Sequence, residues 1–203
     1  MNSIINYIQE KLKITKDTKI NKYNYYPKTR EELKEIIDDL IKKRGNNADL
    51  NDIDISKIED MSGLFFYSNF NGDISNWDVS NVKNMKSMFY TSQFNGDISK
   101  WNVSNVEDMQ RIFSYSKFTG ENGDISKWDV SNVKNMYCMF YSSHFNGDIS
   151  KWDVSNVENM ACMFENSNFN KDISKWDVSK VKDMEKIFKN CPLQKNPPKW
   201  YKK

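Results

Sequence analysis

The sequence has little of what catalytic and metal-binding proteins commonly use. Its 203 residues include one histidine, three cysteines and no glycine-rich phosphate-binding loop. His144 lies six residues from Cys138, which makes a weak nucleophile–base pair. A zinc site that joined Cys138 and Cys162 with Cys191 or His144 would need more ligands than the spacing offers. We therefore expect a protein that is not an enzyme and that holds no metal and no cofactor.

Long apolar runs are also missing. No apolar run reaches the roughly 18 residues that a membrane span needs, and residues 1–7 lack the continuous apolar stretch of a signal peptide. The odd number of cysteines fits a reducing compartment better than a disulfide framework. The sequence as written therefore predicts a cytoplasmic protein without a membrane span, or a cell-surface protein if a signal has been trimmed.

A net charge of only +2 conceals an uneven distribution of charge. Residues 1–47 carry 11 basic and 7 acidic side chains, residues 48–188 carry 14 and 21, and residues 189–203 carry five basic side chains and no acidic one. A phosphate backbone requires a basic stripe on its partner. Nucleic acid is therefore an unlikely partner of the acidic central region.

What the sequence has in abundance is an internal repeat. The phrase Asn-Gly-Asp-Ile-Ser-Lys-Trp-Asp-Val-Ser-Asn-Val recurs with small changes, and successive tryptophans are 24, 27, 24, 24 and 24 residues apart. The long interval contains three extra residues, 119–121. A fixed period of this length predicts a solenoid. We expect a helical N-terminal cap with a short extended bridge (1–47), about six repeats (48–188), and a C-terminal cap with a partial repeat (189–203).

Each repeat combines two local patterns. Residues 74–79 are rich in strand-forming types after the turn dipeptide Asn71-Gly72, and apolar residues then recur at spacings of three and four. We therefore predict an α/β repeat solenoid, a right-handed, leucine-rich-repeat-like stack of short parallel strands and short helices with a helical N-terminal cap. The expected core positions, which are apolar in nearly every copy, are Ile74, Trp77, Val79, Val82, Met85, Met88, Phe89 and Phe94.

The N-terminal region carries the signals of a capping helix. Thr29 and Glu32 form a capping box, apolar residues at helical spacing follow, and Gly45 ends the pattern after Arg44. Residues 4–12 suggest a shorter first helix, and residues 13–26 suggest two extended segments. Alternatively, residues 1–26 form a contact arm that orders on a partner, with Tyr23, Tyr25 and Tyr26 as its anchor.

The repeated phrase, followed by Met-x-x-Met-Phe, resembles the BspA-like leucine-rich repeat of mycoplasma surface lipoproteins and of many bacteria, protists and large viruses. The resemblance covers about residues 48–200. It implies cell-surface adhesion or protein binding, and it implies no catalytic residues.

Several ladders of equivalent residues invite chemical interpretations. Two consist of aspartates, which suggest either a bound cation or hydrogen bonds to the backbone of turns: Asp73, Asp97, Asp124, Asp148 and Asp172 in one, and Asp54, Asp78, Asp129, Asp153 and Asp177 in the other. Cys138 and Cys162 occupy one repeat position within disulfide reach, although parallel stacking points both side chains the same way. A third ladder alternates in sign, which predicts ion pairs between neighbours: Glu59, Lys83, Glu107, Lys134, Glu158 and Lys182.

Aromatic side chains at variable positions are the candidate binding residues. The repeat does not need aromatics there, and tyrosine favours protein interfaces. We expect a protein partner, with a glycan-binding module or a bacterial cell-surface adhesin as the alternative. The predicted contact residues are Tyr67, Tyr90, Tyr115, Tyr137, Tyr141 and His144, with Phe66 in the same variable set. A competing face on the strand side is the lysine row Lys100, Lys127, Lys151 and Lys175.

Overall fold

The computed structural model describes residues 22–202, and turns dominate it. Helix α1 (Arg30–Arg44) and a single 3₁₀ turn (Pro192–Gln194) are the only helical segments of this part of the chain. No β-strand occurs among these residues, which instead form seven isolated parallel bridges. The predicted α/β solenoid of parallel strands and short helices is therefore wrong.

Helix α1 forms where the sequence predicts it. The Thr29 hydroxyl accepts the N–H of Glu32 (3.2 Å), and the Glu32 carboxylate accepts the N–H of Lys28 (2.7 Å). At the other end Gly45 adopts a φ of 89° and donates its N–H to the Ile41 carbonyl (2.8 Å). The apolar face of α1 joins the core and covers the first repeat.

The predictions for the N-terminal residues lie mostly outside the described part of the chain. The proposed helix at residues 4–12 falls entirely there, as does most of the segment 13–26. Within the described part, Tyr25 forms a parallel bridge to Ile53, and the Tyr26 hydroxyl donates to the Tyr23 carbonyl (2.9 Å).

Asx turns explain why the expected strand does not form. In the repeat 71–94, the side chains of Asp73, Asp78 and Asn84 accept the backbone N–H two residues further on, at 2.8, 3.1 and 2.9 Å. Such side-chain bonds bend the backbone and compete with regular structure. The segment between Asp73 and Val79 is consequently too short and too bent for a strand, although its residue types favour one.

Left-handed residues explain why the expected helix does not form. Ser87 and Thr91 have φ angles of 55° and 53°, and each occupies the third position of a turn that closes through an N–H···O bond of 3.2 Å. This is the arrangement of a type II turn, whereas a helix requires a right-handed conformation at every residue. The same pair recurs in each of the six repeats: Gly63 and Tyr67, Ser87 and Thr91, Arg111 and Tyr115, Cys138 and Ser142, Cys162 and Asn166, Lys186 and Asn190.

Consecutive repeats, called units below, stack through a one-directional set of backbone hydrogen bonds. Every second residue in the second half of a unit donates its N–H to a carbonyl of the next unit, at 2.8–2.9 Å in the first pair. In that pair the donors are Met61, Gly63, Phe65 and Tyr67, and the acceptors are Asn84, Lys86, Met88 and Tyr90. The pattern continues to the sixth unit, and backbone bonds in the opposite direction accompany it, such as the one from the Lys83 N–H to the Glu59 carbonyl (2.8 Å).

The core consists of aromatic and aliphatic ladders along this stack. All eight predicted core positions of the repeat 71–94 are at most 4% exposed, so that prediction is confirmed. Phe89 and Phe113 stack at 5.7 Å between ring centroids, and Trp77 and Trp101 at 6.4 Å. Each of the six indole N–H groups donates to a carbonyl of the preceding unit, as Trp101 does to Ile74 (3.2 Å). The buried indoles are therefore both packed and hydrogen-bonded.

Between residues 22 and 202, the chain has no helix with the length and apolar character that crossing a membrane requires.

Candidate binding surface

Four of the predicted contact tyrosines meet in one groove of about 290 Å³. The groove runs across four units, and we call it the aromatic groove. Its lining residues are Tyr90, Arg111, Ser114, Tyr115, Tyr137, Cys138, Tyr141 and Cys162. The stacking of units brings these residues together, because equivalent positions of successive units lie side by side.

The tyrosines form a continuous row of edge-to-face contacts. Ring centroids are 5.5 Å apart between Tyr67 and Tyr90, 5.7 Å between Tyr90 and Tyr115, and 5.2 Å between Tyr115 and Tyr141. Phe66 stacks on Tyr90 at 4.9 Å and is 48% exposed, so it extends the row at one end. The result is an apolar ridge with hydroxyl groups along it.

Arg111 is a groove residue that the sequence reasoning did not single out. Its guanidinium lies over the ring of Tyr137, at 5.1 Å from the centroid, and an Nη atom donates to the Tyr137 hydroxyl at 3.5 Å. The sequence could have pointed to Arg111 through its position, because it lies in the second half of a unit at the position equivalent to Ser87. Arg111 gives the groove a fixed positive charge.

Two tyrosines of the row are held in a strained backbone conformation. Tyr67 and Tyr115 have φ angles of 55° and 56°, and they are 62% and 47% exposed. Left-handed backbone is uncommon for large side chains. The four other units place smaller residues at this position: Thr91, Ser142, Asn166 and Asn190.

Tyr90 and Tyr115 are neutral at physiological pH. A hydrogen bond with Tyr141 raises the pKa of Tyr115, and burial raises the pKa of Tyr90. The hydroxyl groups therefore remain available as hydrogen-bond donors.

Of the two cysteines in the groove, Cys138 and Cys162, the second is a poor nucleophile. Both are free, and burial, together with a hydrogen bond to Glu165, raises the pKa of Cys162 to about 12. Because the thiolate is the reactive form, almost none of it exists at neutral pH. Cys191 is buried elsewhere, where its thiol donates to the Phe169 carbonyl at 3.1 Å.

The other predicted contact residues lie apart from the groove lining. His144 is exposed three residues beyond Tyr141. The lysine row is exposed as well, with one side chain on each of four units, but the strands on which it was placed do not exist. The row is Lys100, Lys127, Lys151 and Lys175.

The aspartates of both ladders accept hydrogen bonds within the turns of their own units. In both ladders, a carboxylate oxygen accepts the N–H of the serine two residues on, at 2.8 Å for Asp73 and 3.1 Å for Asp78. Across residues 22–202, no group of three or more His, Cys, Asp or Glu side chains could hold a metal ion.

The ladder of alternating charge forms ion pairs between neighbouring units. Lys83 pairs with Glu59 at 2.8 Å, and Lys182 pairs with Glu158 at 2.6 Å. A third pair joins Lys134 to Glu107, also at 2.6 Å. The prediction of opposite neighbouring charges is confirmed for these three pairs.

A comparison with curated proteins found no match, and neither did a comparison with solved structures. Neither comparison tests the resemblance to the BspA-like leucine-rich repeat, which stays a prediction. One protein-family model matches the chain twice, over residues 32–122 and 115–201, which together include most of its length. On that match, the chain belongs to the family described as "Mycoplasma protein of unknown function, DUF285".

Proposed function

We propose that this protein is a non-enzymatic binding module that holds another protein in the aromatic groove. The observation that carries the proposal is the conformation of Tyr67 and Tyr115, which are exposed although their backbone is left-handed. Backbone strain of this kind costs about 1–3 kcal/mol per residue and is concentrated at functional sites. Smaller side chains at the equivalent positions of other units would serve the stack equally well.

The chemistry of the groove suits a protein surface. Tyrosine provides a large contact area with a polar end and little conformational freedom to lose, and arginine is the charged residue most often found at interfaces. Tyr115 and Tyr141 are already fixed by their mutual contact (5.2 Å). A partner would therefore meet a preformed surface, which lowers the entropic cost of binding.

The lysine row is the competing binding face. It presents four exposed ammonium groups along the stack, and an acidic partner would bind there without touching the tyrosines. Substitutions that remove one face and keep the other separate the two possibilities.

A second candidate function is that of a cell-surface adhesin or glycan-binding module. The exposed aromatic rings of Phe66 and Tyr67 favour it, because sugars pack against such rings, and the resemblance to surface repeats points the same way. This alternative places the chain outside the cell, whereas the protein-binding proposal is also compatible with the cytoplasm.

The test is a binding assay with two matched variants. One replaces Tyr90 and Tyr141 by Ser and Tyr115 by Asn, because Asn tolerates left-handed backbone. The other replaces Lys100, Lys127, Lys151 and Lys175 by Ala. Each protein is used to capture partners from lysate of the source cells, and each is titrated with an oligosaccharide panel.

The proposal expects a stoichiometric protein complex that the lysine variant retains and the folded tyrosine variant loses. A complex lost only by the lysine variant would overturn the assignment of the site. Saturable binding of an oligosaccharide, with no protein complex, would establish the glycan alternative instead.

A further inference from the structure

We propose that a pocket between α1 and the first two units binds a phosphomonoester that is carried next to a planar ring. The pocket has a volume of about 590 Å³, and we call it the basic pocket. Its lining residues are Arg30, Lys34, Ser62, Gly63, Phe66, Lys86 and Ser87. The proposal does not rest on the aromatic groove, with which the basic pocket shares no lining residue.

The lining of the basic pocket carries charge of one sign. Three of its seven residues are cationic, and none is acidic. The pocket is a local exception, because residues 48–188 as a whole carry 14 basic and 21 acidic side chains. A concave surface with charge of one sign concentrates ligands of the opposite sign. The ligand that suits this pocket is therefore an anion.

Arg30 is held in place against the first unit. Its Nε atom donates to the Ser62 carbonyl at 2.6 Å, and a Cβ atom on Gly63 would lie 3.5 Å from its Nη2 atom. The other five units have a side chain at the position of Gly63, whereas the first unit has the guanidinium beside it. The Nη2 atom donates to no acceptor among residues 22–202, so its N–H groups are available to a ligand. A guanidinium fixed in this way loses little freedom when it binds an anion.

The carboxylates near the basic pocket do not neutralise it. Glu31 contacts Arg30 at 3.4 Å, and Asp38 pairs with Lys34 along α1. The two carboxylate side chains are 73% and 58% exposed, and exposed pairs contribute little to stability, so a stronger anion displaces them readily. Lys86 is exposed and has no ion-pair partner in the described part of the chain. The pocket therefore keeps a net positive charge.

Two hydroxyl groups complete the set of donors. They belong to Ser62 and Ser87, and neither hydroxyl donates to a group between residues 22 and 202. The donors of the pocket thus come from α1 and from two units. A phosphomonoester offers three acceptor oxygens in a tetrahedral arrangement, whereas a carboxylate offers two in one plane. Donors from three segments of the chain fit the phosphate better.

Phe66 gives the basic pocket an apolar side. Its ring is 48% exposed, although it stacks on Tyr90 at 4.9 Å between centroids. A planar ring of a ligand gains more from packing against an aromatic side chain than the buried area alone provides. A phosphate next to a planar ring occurs both in a phosphorylated tyrosine side chain and in a free nucleotide, and the pocket fits the chemistry that the two share.

An NMR titration of the full chain tests the proposal. The probes are phenyl phosphate, inorganic phosphate and benzoate, and the amide signals of Gly63 and Ser87 report on the pocket. We expect saturable binding of phenyl phosphate with a Kd of about 1 mM or below. Inorganic phosphate lacks the ring and benzoate lacks the phosphate, so each should bind about threefold more weakly or worse. Equal affinity for all three probes would overturn the proposal, as would the absence of saturable shifts at these two amides.

A matched pair of lysine variants tests whether the charge acts locally. Lys86→Gln should weaken the binding of phenyl phosphate about two- to fivefold, as expected for one exposed charge pair. Lys57 is also exposed, has no ion-pair partner in the described residues and lies outside the pocket lining. Lys57→Gln should therefore leave the affinity unchanged. Equal weakening by the two variants would mean non-specific attraction and would overturn the site.

Two further variants separate the phosphate contact from the ring contact. Arg30→Gln should weaken the binding of both phosphates about tenfold or more, because a hydrogen bond to a charged group is lost. Phe66→Leu should instead reduce the preference for phenyl phosphate over inorganic phosphate, and an unchanged preference would contradict the role of the ring. Because Arg30 also supports α1 through Ser62, the Lys86 and Phe66 variants decide the matter if Arg30→Gln does not fold.

Two larger probes distinguish the source of the phosphate. One is a short peptide with a central phosphotyrosine, and the other is adenosine 5′-monophosphate. The one that binds more tightly identifies the source as a phosphorylated partner protein or as a free nucleotide. If neither binds more tightly than inorganic phosphate, the proposal is wrong.

A variant of the aromatic groove separates this proposal from the proposed function. The double change Tyr115→Asn and Tyr141→Ser retains Tyr90, on which Phe66 stacks, and should bind phenyl phosphate like the parent. Loss of binding in this variant would place the anion in the groove beside Arg111 and would overturn the basic pocket. Because the groove variant keeps the basic pocket intact, failure of one proposal is distinguishable from failure of the other.

Discussion

Replacement of Thr91 by Asn should stabilise the protein. Thr91 has a φ of 53°, and a left-handed conformation costs an L-residue roughly 1–2 kcal/mol, while Asn tolerates it far better. The N–H of residue 91, which donates to the Ser114 carbonyl at 2.9 Å, is unaffected by the substitution. Asn already occupies the same position three and four units further on, at Asn166 and Asn190. The change therefore removes strain and leaves the inter-unit hydrogen bond intact.

The expected gain is about 0.5–1 kcal/mol, or about half of the conformational penalty. For a chain of this size, it corresponds to an increase in Tm of about 1–4 °C. Urea unfolding followed by tryptophan fluorescence measures it, and an unchanged m value would show that the compactness of the two states is preserved. Tryptophan is a suitable probe because the indoles of inner units are buried.

The reverse substitution, Asn166→Thr, provides the control. It introduces the strain and also removes the hydrogen bond from the Asn166 amide to the Tyr141 hydroxyl (3.1 Å). We expect a loss of about 1–2 kcal/mol. If Thr91→Asn destabilises the protein, or if both variants unfold like the parent, the strain argument for this position is refuted, and with it the main support for the aromatic groove.

Three further predictions concern backbone contact, acid stability and thiol reactivity. A Cβ atom at Gly72 would lie 2.0 Å from the Ala48 carbonyl oxygen, so Gly72→Ala should cost about 3 kcal/mol in urea unfolding; a cost below about 0.5 kcal/mol would contradict this packing. The Ser75 N–H lowers the pKa of Asp73, so stability should fall as the pH drops from about 4 through the folded-state pKa. Asp73→Asn should flatten the decline in Tm between about pH 5 and 3, and an identical decline would refute this role. Cys162, with a pKa of about 12, should be alkylated by iodoacetamide far more slowly at pH 7.5 than in urea, as mass spectrometry would show; equal rates would argue against its burial.

The sequence reasoning succeeded wherever a position repeats. A residue type that recurs every 24 residues occupies the same environment in each inner unit, and the apolar residues that recur in this way form the core. The burial of Trp77, Met85 and Phe89 follows from this without knowledge of the local backbone. Helix α1 was equally accessible, because its Thr29 cap and Gly45 end are local signals.

The same reasoning failed on the backbone between those positions. Apolar residues at spacings of three and four arise in a helix and also in consecutive four-residue turns, since both bring every third or fourth side chain to one side. The residues that separate the two cases, Ser87 and Thr91, are not types that signal a left-handed backbone. Gly72 was misleading as well, because the sequence reasoning took it as part of a turn dipeptide. Its backbone is not left-handed, and glycine is required there because the chain passes close to Ala48.

Because the backbone consists of turns, exposed side chains can change during evolution without disturbing the stack. In a strand or helix, a change of side chain at an exposed position can disrupt the element, whereas here the second left-handed position of each unit is occupied by Tyr, Thr, Ser or Asn without loss of the turn. In the first five units its N–H donates to the next unit whatever the side chain is, so the stacking bond does not depend on the surface chemistry. Tyr67 and Tyr115 exploit that independence, because each keeps its inter-unit bond of 2.9 Å and adds an exposed ring. A stack of this kind can therefore change partners by substitution at one position per unit, without redesign of its core.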